Sequence, residues 1–203
     1  MNLPTKLTVL RIIMIPVFVA LFLVEFPYHD IAATGVFVLA SLTDFLDGYI
    51  ARKYNMVTDL GKFLDPVADK VLVMSALVLL CVRFAGGLQI TLIICTIIIL
   101  ARELIITGFR AIAAGKKLVI AADKIGKIKT IMQMISIIAL LLNDFAFSIY
   151  PAPQVGETAQ FPVFGVVVMI IGFTALVFAT FLTLLSAINY IAKNSAVLKE
   201  ENK

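Results

Sequence analysis

Long apolar stretches interrupted by short polar clusters make up most of the chain, and inside them apolar and polar positions do not alternate as they would in the strands of a membrane barrel. A helix of about 20 apolar residues crosses a bilayer. The pattern therefore predicts six spans, near residues 7–25, 31–52, 63–84, 88–113, 125–147 and 162–191. The breaks between them, "EFPYHD", "RKYNMVTDLG", "RFAGG", "AGKKLVIAADKIGK" and "NDFAFSIYPAPQVGETAQFP", hold the Gly, Pro, Asn and Asp residues expected of turns. The expected fold is all-α: one polytopic membrane domain over residues 1–203, without internal repeats.

Composition agrees with this pattern, since 62% of residues are hydrophobic and the mean hydropathy is +1.07. Soluble globular domains do not reach such values. In lipid every backbone polar group must be satisfied internally, which leaves only helix bundles and closed barrels. Charge then orients the chain. Lys6 and Arg11 lie at the N-terminus, Arg52, Lys53 and Lys62 between spans two and three, Lys116, Lys117, Lys124, Lys127 and Lys129 between four and five, and Lys193, Lys199 and Lys203 at the C-terminus. The loops after spans one and five have no Lys or Arg, and the loop after span three has only Arg83. The positive-inside rule places both termini in the cytoplasm. On this side the lysines face anionic headgroups, and no nucleic-acid partner is implied. Arg11 inside the first apolar run, with no cleavage site after it, marks a retained helix rather than a signal peptide. Cys81 and Cys95 sit in apolar runs, as small hydrophobes do.

Against this background one polar segment, "SLTDFLDGYIARKYNMVTDLGKFLDPVADK", stands out. Asp44, Asp47, Gly48 and Ala51 share one face at the cytoplasmic end of the second span, while Asp65 and Asp69 form an i, i+4 pair opening the third. Pro66 between them suits a helix start. Adjacent antiparallel helices would present four carboxylates to each other at one depth. A charge near the bilayer centre costs about 2.5–3.5 kcal/mol on insertion scales, and like charges repel further. Two divalent cations would balance them, and all-oxygen ligation suits Mg²⁺ or Mn²⁺. The only histidine, His29, falls in a loop on the opposite side, so an imidazole site is not expected. Asp59 reads as a solvated helix cap.

The stretches "DFLDGYIAR" and "GKFLDPVAD", eight residues apart, resemble the signature of the CDP-alcohol phosphotransferase family, D-x2-D-G-x2-A-R-x8-G-x3-D-x3-D. Asp44, Asp47, Gly48, Ala51, Arg52, Gly61, Asp65 and Asp69 all match it. The resemblance implies a transferase that moves a phosphatidyl-type group from a CDP-linked donor to an alcohol and releases CMP. It further implies that Asp44, Asp47 and Asp65 ligate two metal ions, that Asp69 borders them and serves as general base, and that Gly48 and Ala51 make room for the nucleotide. Arg52 would contact the diphosphate and Gly61 would permit close packing beside it. A homodimer in the cytoplasmic membrane, with its active site facing the cytoplasm, is part of the same expectation.

The alcohol is indicated by a second polar segment, "ARELIITGFRAIAAGKKLVIAADKIGKIKT". Glu103, Thr107 and Arg110 share a face of the fourth span, Arg102 adjoins them, and Lys124, Lys127 and Lys129 open the fifth. Lys116 and Lys117 read as membrane anchors. So much positive charge beside a metal centre suits an acceptor with its own phosphate. "ARE", "GKIKT" and the early "LTVLR" also resemble the branch of the family acting on CDP-diacylglycerol and glycerol 3-phosphate, although Pro4-Thr5 stands where that branch commonly reads Pro-Asn. Inositol phosphate, serine and phosphatidylglycerol are alternative acceptors. Intramembrane acids also mark cation transporters, but a transporter needs polar residues continuing across the bilayer.

Overall fold

A computed structural model describes residues 2–53, 59–115, 124–149 and 163–193. The elements are α1 (Leu3–Leu23), α2 (His29–Lys53), α3 (Asp59–Arg83), α4 (Gly86–Gly115), α5 (Lys124–Leu141), the short α6 (Asn143–Ser148) and α7 (Val163–Lys193), with no strand among the described residues. Three stretches, Thr5–Leu23, Gly86–Arg110 and Val163–Lys193, are long and apolar enough to cross a membrane by length and composition alone. Lys116 and Lys117 lie outside the described residues.

α1 packs on α2 and α3, α4 bridges α3 and α7, and α5 lies along α7. The core between them is aliphatic and aromatic. Phe18, Phe37, Leu77, Leu80, Ile99 and Leu176 are fully buried, and the Phe18 and Phe37 rings meet at 5.7 Å. Large apolar side chains also cover the outside, with Ile13, Ile97 and Ile188 more than half exposed. Apolar surface so continuous is costly in water and neutral in lipid, as a membrane protein requires.

The expected fifth span, 125–147, is not one uninterrupted helix: α5 stops at Leu141 and α6 restarts at Asn143. Asp144 lies just past the break. Its Oδ2 accepts from Arg83 Nε at 2.9 Å and from an Arg83 terminal nitrogen at 2.5 Å, while the same terminal nitrogen donates to Asp30 Oδ1 at 2.6 Å. The lone arginine after the third span thus ties the ends of α2, α3 and α6 together, its guanidinium packed 5.1 Å from the Phe22 ring centre.

Close approach of α5 and α7 depends on Gly172. A Cβ there would lie 2.7 Å from Leu140 Cγ and Cδ2, and Leu140 is itself fully buried. Gly172→Ala gains helix propensity but overpacks this contact, at a cost of about 1–3 kcal/mol. The expected outcome is a lower thermal midpoint in detergent. An unchanged midpoint would mean that the helices separate freely here.

Candidate functional site

The acidic centre is assembled by three helices. α2 contributes Asp44, α3 contributes Asp65 and Asp69, and α1 contributes two buried polar residues one turn apart, Thr8 and Arg11. Thr8 Oγ1 donates to Asp65 Oδ1 at 2.5 Å, and Arg11 pairs with Asp44 Oδ1. Each contact engages one carboxylate oxygen and leaves the second for another partner. Arg11 is wholly buried. A charge in that position needs a counter-ion, and Asp44 provides one. Asp69, partly buried, lies within electrostatic reach of Asp44 and Arg11 on one side and of Glu103 and Lys129 on the other.

Hard oxygen donors of this kind fit Mg²⁺ or Mn²⁺. Among the described residues, no three acidic, His or Cys side chains stand close enough to enclose a metal ion. Asp47, Ala51 and Arg52 belong to α2 and Asp59 to α3, but their side chains lie outside the described residues, as does that of Lys124. Gly48 is half-buried on α2 and Gly61 is buried in the first turns of α3.

Beside Asp69 the charge changes sign. Glu103 on α4 accepts from Arg102 at 3.0 Å and from Lys129 Nζ at 2.5 Å. Arg102 also donates to Ser186 Oγ at 2.9 Å, and its Nε is buried without a hydrogen-bond partner among the described residues. Farther along α4, Arg110 donates through Nε to the Tyr190 hydroxyl at 3.1 Å, its guanidinium 5.5 Å from the ring centre. Lys70 donates to Thr107. A cavity of about 70 Å³ lies here between α3, α4 and α5, lined among others by Asp69, Lys70, Glu103, Lys129, Gln133 and Met134.

Asp44, Asp65, Asp69, Arg102 and Lys129 are thus gathered into one region, with Arg110 at its edge. Lys127 is exposed and does not line the cavity. The sequence pattern assigns no place in the site to Arg11, Lys70, Gln133, Ser186 or Tyr190. The available signals were a lone arginine in an apolar run, a lone glutamine in another, and a polar i, i+4 pair on the last helix.

An acidic centre on α2 and α3, adjoining a cavity lined by the lysines Lys70 and Lys129 with the acids Asp69 and Glu103, is an arrangement suited to handling phosphate esters. The sequence model of the CDP-alcohol phosphatidyltransferase family matches residues 1–197, and the chain belongs to that family. Among curated relatives, a CDP-diacylglycerol–glycerol-3-phosphate 3-phosphatidyltransferase of Bacillus subtilis (strain 168) is 39% identical over 99% of each chain. Enzymes of the same description from Rickettsia bellii (strain RML369-C) and Sodalis glossinidius (strain morsitans) are 41% and 45% identical, over 77% and 70% of this chain and 83% and 77% of their own.

Proposed function

We propose that the chain transfers the phosphatidyl group of CDP-diacylglycerol to glycerol 3-phosphate, releasing CMP. The observation that carries this reading is the position of Asp69, which is in electrostatic reach of the acidic centre and lines a cavity whose lysines, Lys70 and Lys129, with Arg102 bonded to the lining Glu103, suit an acceptor bearing a phosphate. The buried, unpaired Nε of Arg102 supports it, because an anion would satisfy that donor.

In this mechanism Arg52 holds the donor diphosphate, Gly48, Ala51 and Gly61 allow the nucleotide to approach the backbone, and Arg102, Arg110 and Lys129 hold the acceptor phosphate, with Lys124 and Lys127 adding positive charge on α5. Asp69 takes the proton from the acceptor hydroxyl. The hydroxyl oxygen bonds to the phosphatidyl phosphorus, the bond from that phosphorus to the bridging oxygen breaks, and CMP leaves with the electron pair. Asp44, Asp47, Asp65 and Asp69 would hold two divalent cations, Mg²⁺ or Mn²⁺, which when bound offset charge on the diphosphate and on departing CMP. Thr8 and Arg11 fix the orientation of Asp65 and Asp44 toward that centre.

The same reading includes six membrane crossings, both termini in the cytoplasm, an active site opening to the cytoplasmic leaflet of the cell membrane, and a homodimer. Purified protein given CDP-diacylglycerol, glycerol 3-phosphate and Mg²⁺ or Mn²⁺ is expected to release CMP, and chelation to stop it. CMP release only with a different alcohol would change the acceptor. No release with any alcohol would overturn the proposal.

A further inference from the structure

We infer that Gln133 is a specificity-determining residue that reads the non-reacting hydroxyl of a short phosphorylated polyol; the inference rests on the function proposed above. Gln133 is 4% exposed and lines the cavity. Its amide makes no hydrogen bond to any described residue and stays accessible from the cavity. A polar group on a cavity wall without a protein partner is ordinarily satisfied by water or by a ligand.

The neighbouring side chains limit what that ligand group can be. Lys129 and Gln133 are one turn apart on α5 and both line the cavity. Lys70 and Lys129 are suited to the acceptor's phosphate, and Asp69 to its reacting hydroxyl. In a three-carbon phosphate the one remaining polar group is the middle hydroxyl, which both donates and accepts a hydrogen bond. A primary amide offers the same two functions without charge. Beyond Gln133 on α5, Ile137, Leu140 and Leu141 are fully buried and apolar, and the buried Ser136 does not line the cavity, so Gln133 is the last polar residue of α5 on its wall. A single water needs about 10–15 Å³ of such space, so a cavity of about 70 Å³ has room for a few groups of that size beside Gln133.

The test compares sn-glycerol 3-phosphate with 3-hydroxypropyl phosphate, which lacks only the middle hydroxyl, for the wild type and for Gln133→Met, a near-isosteric apolar replacement. The wild type is expected to prefer glycerol 3-phosphate by about 10- to 100-fold in kcat/KM, the scale set by leaving one buried polar group unpaired. Gln133→Met should lose most of that preference, by slower use of glycerol 3-phosphate with the deoxy acceptor little changed. Equal losses for both acceptors would reveal a merely structural role and overturn the inference, as would a variant that keeps the preference. If the variant does not fold, the wild-type ratio alone decides: a ratio near one overturns the assignment. CMP release from the wild type with glycerol 3-phosphate tests the function separately, and its absence would overturn both.

Discussion

Asp69→Asn is expected to lower kcat for CMP release by about 10²–10⁴-fold, the range over which a positioned general base contributes. Asparagine preserves the volume and hydrogen-bonding shape of the side chain but cannot accept the proton. No hydrogen bond or ion pair to a described residue holds Asp69, so the substitution should cost little stability. Binding of CDP-diacylglycerol should largely persist, because the diphosphate contact is assigned to Arg52 and three of the four carboxylates proposed to hold the cations remain. Steady-state CMP release, together with equilibrium binding of the donor, separates these effects. Turnover within a few-fold of wild type would remove Asp69 from the role of base. Loss of donor binding in parallel with turnover would make it a binding residue instead.

The helical positions of Asp44, Asp65 and Asp69 are legible because their pattern is local: periodicity alone puts Asp65 and Asp69 on one face of the third span and Asp44 near the end of the second. Their supports are not. Arg11 meets Asp44 across 33 positions, and Arg110 meets Tyr190 across 80, which are tertiary contacts that no local period encodes. A lone arginine in an apolar run marks a cost that some partner must offset, but it does not name that partner. The end of α5 shows the same limit. Apolarity across 125–147 predicts continuous helix, and neither the restart at Asn143 nor the pairing of Asp144 with the distant Arg83 is encoded in that period. Gln133 carries no sequence signal of its role, because one amide in an apolar helix has no periodic signature. It became informative when the structure placed it on a cavity without a partner.

Glu103→Gln should have the largest effect on stability, and its response to ligand should differ from that of the wild type. Glu103 lies between Arg102 and Lys129, whose side chains are 12% and 6% exposed. Neutralising it leaves two buried cations facing each other without the anion that separates them. Stranding buried charge in this way costs about 3–5 kcal/mol, so a clear fall in the thermal midpoint in detergent is expected. If the cavity receives a phosphate, that phosphate can restore the missing negative charge. Stabilisation by a ligand grows with its affinity for the folded state, so glycerol 3-phosphate should raise the midpoint of Glu103→Gln more than it raises that of the wild type. Glycerol, which has the same hydroxyls and no charge, should not. An equal rise in both proteins would mean that the acceptor's phosphate binds away from Arg102 and Lys129, and the cationic side of the site would have to be reassigned.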